Sequence, residues 1–222
     1  KNEKGQFITK GDANPKEDLE PVVEVIKKHD LFVISDEIYS ELTYGSKHVS
    51  IASFEGMKER TILINGFSKG FAMTGWRLGY ACGPKEIIEQ MVKIHQFAIM
   101  CSPTVSQFAA TEAMKNGDED IEHMRAEYNR RRVFILEGLR KIGIECFEPE
   151  GAFYIYPNVG KFGLSSEEFC ERLLFEHKCA IVPGTAFGDG GEGYIRICYA
   201  SKYEKLSEAL ARLEAAFGKK KD

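Results

Sequence analysis

Apolar and polar positions along this chain repeat at two different periods. Leu19, Val22, Val23 and Ile26 recur at helical spacing behind Asn14, which can cap a helix, and Pro15, which suits a first helical position. Short continuous apolar runs follow at 31–34, 62–64 and 78–82, the last closed by Gly83-Pro84. Runs of this length, bounded by polar or breaker residues, predict buried strands. Helices are predicted over 84–97 and 103–115. After the break at Asn116-Gly117-Asp118 a long helix is predicted over 119–141, with Met124, Tyr128 and Ile135 among its buried residues. The remainder reads as strand 152–156, helix 165–177, strands 180–182 and 194–198, and helix 203–217.

Strands separated by connecting segments predict α/β organisation. The break near Asn116-Gly117 divides the chain into residues 1–117 and a compact α+β domain, 118–222, with the long helix bridging the two. No internal repeat or low-complexity segment interrupts this order.

Composition narrows the classes without choosing one. The chain has 222 residues, 43% of them hydrophobic, enough for a real core, and a net charge of −4. That balance gives no reason to expect nucleic acid as a partner. The dense basic stretch Lys219–Lys221 reads as a solvated, frayed tail. The polar residues 1–12 read as a loop entered midway or an expression boundary. The cysteines at 82, 101, 146, 170, 179 and 198 make no Cys-x-x-Cys pair and no zinc-spaced Cys/His cluster. They are expected to be reduced and mostly buried, with no metal. No apolar run is long enough to span a bilayer, so the expected location is cytoplasmic and away from membranes.

Candidate chemistry gathers at strand ends. The run at 62–64 leads into Asn65-Gly66-Phe67-Ser68-Lys69-Gly70, and Thr74-Gly75-Trp76-Arg77 lies just beyond. A lysine held at a strand's end can be desolvated, lose its proton and attack a carbonyl. A nearby guanidinium can grip a phosphate with two parallel hydrogen bonds. Upstream, the run at 31–34 delivers Ser35-Asp36-Glu37-Ile38-Tyr39. A carboxylate there can keep a pyridine ring protonated as an electron sink, and a tyrosine three residues on can reach the ring's phenolic oxygen. Near the C-terminus, strand alternation puts Tyr194, Arg196 and Cys198 on one face, with Arg196 offering a planar fork for a carboxylate. The segment Pro183–Gly188 reads as a loop near the substrate entrance, its small residues permitting close backbone approach. Gly151-Ala152-Phe153-Tyr154 reads as packing, Trp76 as core or a loop anchor, Glu37 as structural. The histidines carry no assigned role.

The ordered set Ser35-Asp36-Glu37-Ile38-Tyr39, Ser68-Lys69, Thr74-Gly75-Trp76-Arg77, Pro149–Tyr154, Pro183–Gly188 and Tyr194–Ile197 resembles the class I/II, fold type I, pyridoxal phosphate-dependent aminotransferases. It looks closest to the aspartate and aromatic branch, and the likeness runs from about Pro15 to the end. The resemblance implies part of a three-layer α/β/α cofactor-binding domain followed by the small domain. It implies pyridoxal 5′-phosphate as cofactor, Lys69 as the Schiff-base lysine and proton carrier, and Asp36, Tyr39, Ser68 and Arg77 as cofactor ligands. Arg196 would take the substrate's α-carboxylate. Gly66 stands where many relatives carry a further serine. The family's Asn-Pro-Thr-Gly motif, its phosphate cup and its stacking aromatic are not found here, so the chain is expected to be a C-terminal portion, weakly cofactor-binding and inactive alone. Implied partners are an amino acid of aspartate or aromatic type, a 2-oxo acid and, in the intact enzyme, a second copy as homodimer. Two alternatives remain at this point: a pyridoxal phosphate-dependent C–S β-lyase, and a non-catalytic dimerisation or regulatory remnant.

Overall fold

The computed structural model describes residues 16–218, so the readings of Asn14-Pro15, the polar start and the lysine tail lie outside the described residues. The chain divides into two compact units: Lys1–Arg125 with Glu150–Ala152, and Ala126–Pro149 with Phe153–Asp222.

The first unit runs α1 (Lys16–Lys28), β1 (Val33–Asp36), β2 (Thr61–Gly66), α2 (Phe67–Gly70), β3 (Gly79–Cys82), α3 (Lys85–Ala98), α4 (Thr104–Asn116) and the opening of α5 (Asp118–Ile142). Its sheet has the order β1-β2-β3. β1 and β2 are parallel, with Ile34 opposite Ile62 and Asp36 opposite Ile64; β3 is antiparallel to β2. β1 lies two residues later than the hydrophobic run suggested. The register starts at Val33 opposite Thr61, while Leu31 and Phe32 are exposed and Leu31 N–H still caps α1 by donating to the Ile26 carbonyl. Asp36 is therefore the last residue of the strand itself.

Two apolar clusters brace this sheet. Val23 and Ile26 of α1 meet Ile51 and Met57, with Val33 and Phe54 packed against them. Phe67 and Met73 meet Ala110 of α4, with Phe71 and Leu78 at the margin. β2 and β3 lie close at Gly66: a Cβ there would lie 3.1 Å from the Gly79 Cα and the Leu78 carbonyl oxygen, so a serine has no room without a shift. Apolar surface nevertheless stays open, as a partial sheet implies. Ile34 and Ile64 on one face of the sheet are exposed, as are Phe97 of α3 and Phe108 of α4.

The second unit holds the rest of α5, then β4 (Tyr154–Ile155), α6 (Ser166–His177), β5 (Val182–Pro183), β6 (Ile195–Cys198) and α7 (Tyr203–Phe217). Its antiparallel sheet has the order β4-β6-β5. Ile135, Leu136 and Leu139 of α5 are buried, together with Ile155, Ile195, Phe169, Leu173, Leu206 and Leu213. Met124 and Tyr128 are only half-buried, since α5 turns its Ile135–Leu139 stretch inward. α6 begins with a capping box: Ser165 accepts from Glu168 N–H and the Glu168 carboxylate accepts from Ser165 N–H.

Two expectations need correction. Only Cys170 and Cys179 are buried; Cys82, Cys101 and Cys198 are exposed, because the latter sit on open strand faces or past a helix end rather than in a core. Trp76 is not core either: it is exposed, and it is held through its backbone, its N–H donating to the Met73 carbonyl and its carbonyl accepting from Ser106 Oγ. Among the described residues, no helix is long and apolar enough to cross a membrane.

Candidate functional site

In the first unit the candidate residues sit where two parallel strands end side by side. β1 ends at Asp36, and β2 runs through Gly66 directly into the one-turn helix α2, which carries Ser68 and Lys69. Ser68 and Lys69 are half-buried. The Lys69 Nζ lies 5.8 Å from the centroid of the Tyr39 ring, so two of the residues singled out from the sequence meet in space. Asp36 is exposed, and its Oδ1 accepts a 3.2 Å hydrogen bond from Ile38 N–H. That bond turns the chain just after the strand and directs Tyr39 back toward the β2 side.

This turn is tied down by Glu37, the residue between strand end and tyrosine. Glu37 is buried, its N–H donates to the Ile64 carbonyl at 2.8 Å, and its carbonyl accepts from Ser40 N–H at 2.9 Å. Its carboxylate accepts from Ser35 Oγ at 3.0 Å and Ser50 Oγ at 2.7 Å, and pairs with His48 Nε2 at 3.0 Å. Burial pushes the Glu37 carboxyl up, but the hydrogen bonds from His48, Ser50 and Ser35 and the charge of His48 outweigh it and hold the group below its ordinary range. Glu37 is thus structural, as read from the sequence, whereas His48 has a role that sequence reasoning missed. Nothing local to His48 announces a partner eleven residues away across a turn.

Arg77 ends the loop that follows Lys69. It is exposed and adopts a left-handed backbone at φ 52°, as does Ala72 at φ 53°. Its guanidinium donates to the Thr74 carbonyl at 2.8 Å. Non-glycine residues persist in this conformation only where the surroundings over-determine it, and such positions concentrate at ligand-binding loops. Ser68 precedes Lys69 within α2, and Arg77 ends the loop that leads from α2 to β3.

In the second unit Arg196 lies at the centre of β6, on the face opposite buried Ile195 and Ile197. Its guanidinium carbon is 4.6 Å from the centroid of the Tyr154 ring and 4.4 Å from that of Phe187. Tyr154 therefore packs its ring against Arg196. Phe187 belongs to the Pro183–Gly188 loop, where the sequence signal was the small residues around it rather than the ring. Close backbone approach is realised at Gly184, where a Cβ would fall 2.1 Å from the Gly191 carbonyl oxygen.

Comparison with known proteins gives one consistent answer. Residues 9–213 match the family model described as aminotransferase class I and II. Bacillus subtilis YugH is 53% identical over 204 residues, covering 92% of this chain and 53% of that protein. The aspartate aminotransferase of Pyrococcus abyssi is 49% identical over 214 residues, covering 95% of this chain and 55% of that protein. Among solved structures, an aromatic aminotransferase from Pyrococcus horikoshii superposes with a TM-score of 0.89 at 48% identity, covering 92% of this chain and 56% of that one. The chain spans about half the length of the curated relatives it matches.

Proposed function

This chain belongs to the class I and II aminotransferases, and on that premise we propose that it supplies the Lys69 site to an enzyme that moves an amino group between an amino acid and a 2-oxo acid. The observation that carries the proposal is the approach of Lys69 to Tyr39 beside the end of the strand that bears Asp36. The residues present fit pyridoxal 5′-phosphate by their chemistry: an amine for its aldehyde, a phenol for its ring oxygen and a carboxylate for its ring nitrogen. An exposed guanidinium and a hydroxyl in the segment around the amine suit its phosphate. Bound pyridoxal phosphate supplies the electron sink that makes a substrate Cα–H acidic.

The remaining work falls to the chain's own side chains. Lys69 Nζ would take the proton from the amino donor's Cα as a general base. Asp36 would hold a positive charge at the ring nitrogen by proximity, and the Ile38 N–H bond fixes the orientation of its Oδ1. Tyr39 would hold the ring oxygen. Arg77 and Ser68 would grip the phosphate, and Arg196 would take the donor's α-carboxylate with its planar fork. Aspartate or an aromatic amino acid is the proposed donor class, supported by the names of the relatives. The intact enzyme is proposed to be a homodimer, which sedimentation of the purified protein reads directly.

Titration with pyridoxal phosphate, followed by absorbance, tests the site. Asp36→Asn and Tyr39→Phe are each expected to weaken binding about tenfold, the loss of one charge-assisted or buried hydrogen bond. Binding that survives both substitutions unchanged contradicts the assignment.

A further inference from the structure

The guanidinium of Arg196 is held by more than its strand. Tyr154 and Phe187 approach it from the two strands that flank β6: Tyr154 from β4, diagonal to Arg196 through its pairing with Cys198, and Phe187 from the loop that follows β5. Diagonal neighbours on a sheet face lie within reach of long and aromatic side chains. A guanidinium over an aromatic face gains cation–π attraction, and contact with two rings restricts the rotation of its plane.

Phe187 is half-exposed, yet it is not a loose loop side chain. Tyr156 meets it edge-on at 6.2 Å, and Tyr156 is itself stacked on Tyr194 at 5.2 Å with the rings 7° from parallel. The Tyr156 hydroxyl donates to the Gly184 carbonyl at 3.1 Å, anchoring the start of the loop that carries Phe187. On the other side, Tyr154 is braced by Phe153 at 4.8 Å, and Phe153 by Tyr128 at 5.4 Å. A braced ring on a half-exposed loop costs ordering entropy, which packing alone does not explain for a side chain left open to solvent.

From this we infer that Phe187 and Tyr154 are positioning residues for carboxylate recognition: they clamp the Arg196 guanidinium so that its N–H edge is presented to an incoming acid in one fixed plane. The inference rests on the reading of Arg196 as the α-carboxylate ligand. A planar two-pronged contact loses affinity when either partner must first be oriented, so pre-orientation is read as tighter binding of any substrate that carries the carboxylate.

The test is a pyruvate titration of the protein, followed by NMR on the Arg196 Nε–H signal, which is assigned by its loss in Arg196→Gln. The wild-type signal is expected to be displaced by ring currents and to shift further with pyruvate. In Phe187→Leu the displacement falls and the pyruvate dissociation constant rises about tenfold. Phe187→Tyr, which keeps the ring, restores both. In an Arg196→Gln background, Phe187→Leu has no further effect on pyruvate affinity measured by calorimetry, a coupling that a merely structural loop residue would not show. If Phe187→Leu and Phe187→Tyr both bind pyruvate as wild type while Arg196→Gln is weakened, the clamp is refuted and the carboxylate reading survives. If Arg196→Gln binds pyruvate as tightly as wild type, the carboxylate reading itself fails.

Discussion

In the first unit, the turn that carries Asp36 and Tyr39 is tethered by a buried carboxylate that gathers three polar side chains from two segments. In the second, Arg196 is flanked by two rings and no carboxylate is described against it. Both devices hold a charged side chain in place, but they differ in reach. Hydrogen bonds fix a backbone turn and act on every residue along it. Ring contacts fix one side chain and leave its hydrogen-bonding edge for a ligand. Polar tethers suit a site where several groups must converge on one cofactor, and aromatic clamps suit one where a single group must meet a substrate that comes and goes.

The comparison breaks most sharply at Lys69. Lys69→Ala removes the proposed proton carrier while leaving both devices intact, so transamination by the intact enzyme, measured by coupled assay, is expected to fall about 10⁴-fold with the melting temperature little changed. A comparable loss of stability would mean that the lysine belongs to the tether rather than to the chemistry.

Glu37→Ala attacks the tether itself. It leaves the donors of Ser35, Ser50 and His48 unanswered in a buried place, and urea unfolding should show a loss of about 3 kcal/mol. The pH dependence follows from the same group. Because Glu37 is held below its ordinary value of 4.5, its contribution is fully present above that value and is lost as pH falls through the lower folded value. Unfolding free energies measured from about pH 6 down to about pH 3 should fall more steeply for wild type than for Glu37→Gln, which has no charge to lose. Parallel curves would remove Glu37 from the account.

These two regions were not equally legible in the sequence. The positions of Lys69, Asp36, Tyr39 and Arg196 were readable because each stands at the end or on the open face of an apolar run, and such runs mark strands by themselves. The longer helices were readable to within a residue or two, since periodicity and caps such as Ser165 are local signals, whereas the one-turn α2 read as a loop because four residues are too few to show a helical period. The start of β1 was not, because Leu31 and Phe32 are as apolar as a buried strand but lie on the approach to it. The partners that position the charged groups were hidden for a different reason. His48 and Ser50 reach Glu37 across a turn, and Phe187 reaches Arg196 across a strand, and no sequence period encodes either distance.

Gly184→Ala probes the aromatic side at its hinge. A methyl group would fall 2.1 Å from the Gly191 carbonyl oxygen and 2.6 Å from the Tyr156 hydroxyl. Forcing the two backbone segments apart should cost about 2 kcal/mol and displace the Phe187 loop, read as a lower melting temperature together with weaker carboxylate binding. Retained carboxylate affinity would show that the loop's anchor does not govern the clamp. The smallest effect is expected at Ser165→Ala, whose side chain bonds to Glu168 rather than to either device. Loss of the α6 cap should cost about 1 kcal/mol in unfolding experiments and leave ligand binding untouched.

The most direct measurement is to incubate the protein with pyridoxal phosphate, reduce it with borohydride, and map the modified lysine by peptide mass spectrometry. Occupancy concentrated at Lys69, and diminished in Asp36→Asn, is the result expected if the two strand ends serve one cofactor. Labelling spread over the other lysines, with Lys69 no more modified than they are, would contradict it.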